Sequence, residues 1–307
     1  MLPTHDGYPR RSIMFVPAST PALAEKAAKS PADALILDLE DSVAPGDKEK
    51  AREFLLQILD KVDFGGKKVT VRINALATRW GEKDLEAVKS HENFGALCIP
   101  KIETRAEIEA VTQATSKAIW AFLETARGIY NIREIFSPQG ELVAGVEALV
   151  LGNNDLSADL GVDDRDGLTG PHKDVVLAAR ACGLMVFDGT SPILLKKDSP
   201  YIEEEKKAFR DDCEASRRFG FDGRCVITPS QIPIVNETFS PTVKQIMKAR
   251  RIVDAYTAIE QEGGMITVDG QMVEELHFRA AQRVLRMVKA IEIKEKKTQQ
   301  GGGGPSR

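Results

Sequence analysis

Short apolar runs alternate with amphipathic segments along most of the chain. The runs are "SIMFVP" (12–17), "ALILDLE" (34–40), "KVTVRIN" (68–74), "ALCIPK" (96–101), "AIWAFLE" (118–124), "ALVLGNNDL" (148–156), "LMVFDG" (184–189) and "RCVIT" (224–228). Continuous apolar runs of this length predict strands buried on both faces. Between them lie segments with apolar positions at helical spacing, such as "KEKAREFLLQILDKV", "RAEIEAVTQATSKA" and "YIEEEKKAFRDDCEASRRFG". Eight such strand–helix units predict parallel pairing and an α/β fold, a closed TIM (β/α)8 barrel over residues 10–240. An open doubly wound sheet is the alternative. No glycine-rich phosphate turn follows the first strand, which weighs against it.

Two further segments are surplus to a barrel. "TVKQIMKARRIVDAYTAIEQEG" reads as a helix, and "VDGQMVEELHFRAAQRVL" as a turn at Asp269-Gly270 followed by a last helix to about Ile293. Together they predict a C-terminal helical extension and lid over residues 241–293. "KEKK" reads as a solvated helix end, and residues 294–307 as a flexible tail of linker composition.

Composition narrows the function classes. The chain has 307 residues, 42% of them apolar and 29% charged, as expected of a globular protein with a sizeable core. A net charge of −4 gives no reason to expect nucleic acid or an anionic membrane as partner. No run approaches the roughly 18 apolar residues that span a bilayer. The start, "MLPTHDGYPRRS", lacks the apolar centre of a signal peptide, so a cytoplasmic location is expected. Cys98, Cys182, Cys213 and Cys225 stand singly, which favours buried reduced thiols over bridges or a zinc site.

In such a barrel the reactive groups gather at the carboxyl ends of the strands. Here those ends carry Glu40, Arg72 with Asn74, Lys101, Glu124, Asp155, Asp188 and Thr228. Several charges in one mouth are costly to desolvate unless a ligand or metal balances them. Glu124 and Asp155, from consecutive strands, form a carboxylate pair suited to Mg²⁺, which keeps room for water and substrate oxygens. No His or Cys accompanies them, which argues against zinc. The planar fork of Arg72 matches a carboxylate or an enolate oxygen, with Glu40 placed to orient it. Lys101 reads as an ion-pairing group ahead of a Schiff-base lysine. His172, in "LTGPHKD", reads as a surface residue at a helix start, and His277 as part of a solvent-facing pair with Glu274.

"RSIMFVPAST", "ADALILDLEDSVAPGDKEKAR", "VRIN", "IPKIE", "ETARGIYNI", "LGNNDLSADLG", "GFDGRCVITPSQI" and "VDGQMVEE" occur in this order. Over residues 10–290 this resembles the citrate lyase β-subunit-like family, with its malyl-CoA and citramalyl-CoA lyases, within the HpcH/HpaI aldolase superfamily. The resemblance implies a TIM barrel with Mg²⁺ held at Glu124 and Asp155. It also implies Arg72 against the keto-acid part and the thioester oxygen, with Glu40 beside it. Asn74 and Lys101 complete the expected substrate-binding set. The resemblance further implies trimers or hexamers, in which the C-terminal segment can cover a neighbouring subunit's mouth. Glu274 would then be the acid that protonates the enolate carbon, where the family pattern has Asp.

Two other departures stand out: Thr228 in "VITPSQI" where His is usual, and Ala18 in "FVPAST" where glycine is common. The implied activity is Mg²⁺-dependent cleavage of a hydroxy-carboxyacyl-CoA thioester to acetyl-CoA and a small keto acid. Alternatives are a citryl-thioester lyase subunit working on a carrier protein, a malyl-CoA thioesterase, and a non-catalytic acyl-CoA or keto-acid binding barrel. The C-terminal extension is expected to favour an independent CoA enzyme over a complex subunit.

Overall fold

The computed structural model describes residues 9–137, 144–196, 198–259 and 266–301. Eight parallel strands close into a barrel in chain order: β1 (Ser12–Pro17), β2 (Ala34–Asp38), β3 (Lys68–Arg72), β4 (Ala96–Ile99), β5 (Ala118–Leu123), β6 (Val146–Leu151), β7 (Met185–Asp188) and β8 (Gly223–Val226). The β1–β8 pairing, with Ile13 opposite Cys225, shuts the ring and excludes the open-sheet alternative. The helices are α1 (Pro21–Ala28), α2 (Lys48–Lys61), α3 (Gly81–Val88), α4 (Arg105–Ala114), α5 (Ala126–Tyr130), α6 (Ile132–Ile135), α7 (Asn153–Leu160), α8 (Thr169–Ala181), α9 (Ile202–Phe219) and α10 (Ile232–Phe239).

Strand alternation divides the apolar residues into two cores. Ile13, Ala34, Ile36, Cys98, Trp120, Phe122, Val150 and Phe187 fill the barrel interior. Leu35, Leu37, Val71, Leu97, Leu123 and Leu149, on the other parity, pack outward with the helices. This is why both parities read as apolar in the sequence. The inward parity of β2 continues from Ala34 and Ile36 to Asp38, and that of β5 from Trp120 and Phe122 to Glu124. Period 2 therefore carries specific carboxylates to the top of the interior.

The chain divides into two compact units, one spanning Arg10–Phe239 and the other beginning at Ser240. The second holds α11 (Val243–Ile259), a hairpin of β9 (Ile266–Val268) and β10 (Gln271–Val273), and α12 (Glu275–Gly301). Ala249, Ile252, Val268, Val273 and Ala281 form its small core, and Tyr256 stacks on Phe278 at 4.3 Å. The hairpin turns at Asp269 and Gly270, with φ of 52° and 73°. Positive φ at both central residues is the geometry a tight two-residue hairpin needs, and Asp-Gly supplies it. The last helix runs well past Ile293. Lys, Glu and Gln are good helix formers, and no breaker intervenes before the glycines.

His172 is not a surface residue: it is fully buried in the first turn of α8. Its ring stacks on Phe219 at 5.0 Å, and Nδ1 lies 2.6 Å from the Leu168 carbonyl. The aromatic faces of Phe219 and Phe221 bury it, a neighbourhood that a local reading of "LTGPHKD" does not reveal. All four cysteines are free thiols, with Cys98, Cys213 and Cys225 buried. Among the described residues no helix is long and apolar enough to cross a membrane.

Candidate active site

A cavity of about 280 Å³ opens at the carboxyl ends of the strands. Its lining includes Phe15, Asp38, Asp41, Arg72, Phe122, Glu124, Asn153, Asp155, Thr190 and Cys225. Arg72 ends β3, in register with Asp38 at the end of β2. Its Nε and Nη2 donate to the two Asp38 oxygens at 2.7 and 2.8 Å, a bidentate pair. Nη1 lies 2.9 Å from Glu40 and 3.3 Å from Asp41. The guanidinium also sits over the rings of Phe15 and Phe122, at 4.7 and 5.7 Å. Burial alone would raise the Asp38 pKa, but the Arg72 charge outweighs it and holds the carboxyl below its usual range. Burial likewise opposes the charge on Arg72, and Asp38 overrides it upward.

Glu124 closes β5 and is 3% exposed. Its Oε1 accepts the Lys101 N–H at 2.9 Å, the sole hydrogen bond to this carboxylate among the described residues. Burial pushes its pKa up to about 8, against the pull of Arg72, with Glu40 and Asp155 adding to the rise. Gly152, just after β6, leaves the room: a Cβ there would overlap the Glu124 side chain. Asp155 stands in the first turn of α7, four residues beyond Leu151 at the end of β6, and its side chain is 36% exposed.

Lys101 joins these groups. Its backbone is left-handed, with φ of 53°, unusual for a residue with a side chain. From there the amide reaches Glu124, while Nζ donates to Glu40 at 2.6 Å and lies 3.2 Å from Asp155. Burial would lower the amine's pKa, yet the Glu40 hydrogen bond and charge raise it. An amine held protonated in this way is a counter-charge, not a Schiff-base nucleophile.

Asn74 does not line the cavity. Its Nδ2 donates to Asp84 at 2.6 Å and to the Leu39 carbonyl at 3.0 Å, and its Oδ1 accepts from Lys48 at 2.6 Å. This network ties the loops after β2 and β3 together. Asp188 is fully buried with Arg165, Arg224, Ser216 and His172 rather than facing the mouth. Thr228 forms a capping box with Gln231. In the second unit Glu274 is exposed just before α12, and its N–H donates to His277 Nδ1 at 3.0 Å.

Asp38 and Asp41, two of the carboxylates on Arg72, were not among the candidates that sequence reading singles out. A signal for Asp38 existed: an acid inside the apolar run "ALILDLE", on the inward parity, demands a buried cation.

The donor chemistry fits Mg²⁺. Glu124 and Asp155 offer hard oxygens on one cavity, without His or Cys. Among the described residues no three or more His, Cys, Asp or Glu side chains are grouped to hold a metal. Two carboxylates with the remaining positions left to water and substrate oxygens are the arrangement Mg²⁺ takes.

A barrel with a carboxylate pair and a clamped arginine at its mouth defines a class of enzyme rather than one activity, and comparison with known proteins narrows it. The sequence pattern of the family described as HpcH/HpaI aldolase/citrate lyase matches residues 11–229, and the chain belongs to that family. It is 37% identical over 292 residues to a (3S)-malyl-CoA thioesterase of Cereibacter sphaeroides, covering 94% of this chain and 97% of that one. It is 30% identical to the citrate lyase subunit beta of Leuconostoc mesenteroides, covering 92% of this chain and 95% of that one. Among solved structures it is similar to protein CitE from Mycobacterium tuberculosis in complex with magnesium, acetoacetate and coenzyme A. The TM-score there is 0.70 at 29% identity, covering 92% of this chain and 99% of that one. The match to the citrate lyase subunit leaves out fewer residues than the second unit contains. The C-terminal extension therefore does not separate complex subunits from independent enzymes, contrary to expectation.

Proposed function

We propose that the protein is a Mg²⁺-dependent carbon–carbon lyase acting on a hydroxy-carboxyacyl-CoA thioester of the malyl-CoA or citramalyl-CoA type. The products are acetyl-CoA and a small keto acid. The observation that carries this reading is Glu124: a buried carboxylate with one hydrogen bond, facing the same cavity as Asp155 and the Arg72 guanidinium. Mg²⁺ bound by Glu124 and Asp155 would supply Lewis-acid polarisation of the substrate's hydroxyl and carboxylate oxygens.

The chain's own groups account for the rest. Cleavage turns the substrate hydroxyl into the keto carbonyl, its proton passing to solvent, and moves the carbon–carbon electron pair into the thioester, so negative charge grows on the thioester oxygen. Arg72, locked by Asp38 and backed by two aromatic rings, is a preorganised positive group for that oxygen. Lys101 balances Glu40 and Asp155 and leaves Glu124 turned toward the cavity. The enolate carbon then takes a proton, and Glu274 is the assigned donor. The mouth's apolar floor of Phe15, Phe122 and Val150 keeps water from competing for that carbon. We assign homo-oligomeric assembly as part of the same reading.

The 37% identity with a (3S)-malyl-CoA thioesterase favours a second reading, hydrolysis of the same thioester. One experiment separates the two: chromatography of malyl-CoA and citramalyl-CoA incubated with the purified protein, with Mg²⁺ and with EDTA. Acetyl-CoA with keto acid, formed only with metal, supports the lyase. Free CoA with intact malate establishes the thioesterase instead, and no product from either thioester removes both.

A further inference from the structure

Asp188 is buried behind the mouth, at the end of β7, and does not line the cavity. Arg165 and Ser216 donate to its Oδ2, and Asn153 Nδ2 donates to its Oδ1 at 2.9 Å. His172 Nε2 lies 3.4 Å away and Arg224 Nη1 3.8 Å away. Asp212 in turn holds both arginines at 2.7 Å. Burial would raise the Asp188 pKa, but Arg224, His172 and Arg165 drive it well down, so the group is an ionised acceptor.

An acceptor-only neighbour fixes the orientation of the Asn153 amide. Its NH₂ must face Asp188, so its carbonyl oxygen turns the other way. That Oδ1 is buried and accepts no hydrogen bond among the described residues. The residue is 8% exposed, lines the mouth cavity and stands two positions before Asp155. A buried carbonyl with no donor is costly, and a ligand that brings an O–H removes the cost.

We propose that Asn153 is a specificity residue whose carbonyl, aimed by Asp188, accepts a hydrogen bond from an O–H donor in the mouth. The donor is the hydroxyl of the bound hydroxyacyl thioester. The assignment rests on the malyl-type substrate proposed above. Asp188 is the positioning residue, and the cluster of Arg165, Arg224, Ser216 and His172 keeps it charged and still. A thioester with the same carboxylate but no hydroxyl leaves the carbonyl unpaired, so the site selects against it.

The test compares KM for malyl-CoA with the inhibition constant of succinyl-CoA, which lacks the hydroxyl, in wild type and Asn153→Ala. Calorimetry gives the Mg²⁺ dissociation constant of each protein. With the substrate hydroxyl as donor, KM rises roughly tenfold while succinyl-CoA inhibition stays within about twofold. Both constants unchanged with a lowered kcat at unchanged Mg²⁺ affinity would make the carbonyl a partner of water, not of the substrate hydroxyl, and overturn the specificity role. Asp188→Asn, which frees the amide to flip, gives the same rise in KM in weaker form. Equal weakening of both thioesters, or a folded Asn153→Ala protein with unchanged KM, inhibition constant and kcat, overturns the proposal. A wild-type protein that binds both thioesters but turns over neither fails the functional reading instead. The same comparison is then made by calorimetry, with the two thioesters as unreacting ligands.

Discussion

Asp38 and Arg72 end adjacent strands in the same register, and two hydrogen bonds of 2.7 and 2.8 Å lock the guanidinium to the carboxylate. Both side chains are nearly or fully buried, so neither charge has water to fall back on. Removing one partner strands the other. Asp38→Ala is expected to cost about 3 kcal/mol of stability. Asp38→Asn, which keeps the shape but puts an NH₂ against a donor, is expected to cost less and still lower kcat/KM. Chemical denaturation of each variant measures the first effect and steady-state kinetics the second. An Asp38→Ala protein as stable as wild type would show that Glu40 and Asp41 hold Arg72 on their own.

As the proposed metal ligand, Glu124 is expected to couple metal binding to pH. With its pKa raised to about 8 by burial, the folded protein holds a proton that the unfolded chain releases near the ordinary glutamate value of 4.5. In metal-free protein this contribution to stability is fully present below 4.5 and is lost as pH rises through about 8. Mg²⁺ must displace the same proton, so its affinity climbs across that window, by up to about tenfold per pH unit, and levels off above it. Calorimetry in buffers of different ionisation enthalpy is expected to show close to one proton released at pH 7. Glu124→Gln abolishes both the pH dependence and metal-stimulated turnover. A Mg²⁺ affinity that ignores pH would contradict the assignment of Glu124 as ligand.

Lys101 is expected to stay unmodified by carbonyl compounds. Its ammonium is held by Glu40 at 2.6 Å, and forming an imine needs the free amine. Borohydride added to the protein with pyruvate should leave the intact mass unchanged. A gain equal to one reduced pyruvate adduct on Lys101 would move the chemistry to the Schiff-base class.

Glu274 is proposed above as the acid, and its own substitutions test that role. As donor to the enolate carbon it predicts a kcat loss of roughly 10²–10⁴ in Glu274→Gln, with Mg²⁺ affinity unchanged. Glu274→Asp keeps a carboxyl at this position and should keep most of the activity. Deuterium incorporation into acetyl-CoA gives a second readout, since a lost donor slows the carbon protonation step. If Glu274→Gln turns over like wild type, the helix start is only a cap.

The barrel was legible because its eight apolar runs carry the length and two-sided hydrophobicity of parallel strands, and because the crossover helices repeat between them. Glu124 and Arg72 were legible as charges closing such runs. Asp38 was harder to find because it lies inside a run, where the eye assigns core, and its meaning depends on the register with Arg72. Asn74 and Asp188 look alike in sequence to Glu124. The difference is that Lys48 and Asp84 saturate Asn74, and two arginines enclose Asp188. Those partners come from residues distant along the chain, so no local pattern announces them. His172 failed for the same reason: two phenylalanines almost fifty residues on supply its surroundings.

The missing side chain at Gly152 has a consequence for how this mouth could change. The carboxylate that faces the cavity exists only because the neighbouring strand end contributes no Cβ at that height. A single methyl group there would push Glu124 out of place while leaving every charged residue of the site intact. A relative could keep the full set of acids and bases and still be silent. In sorting such chains, the volume at position 152 carries as much information as the carboxylates themselves.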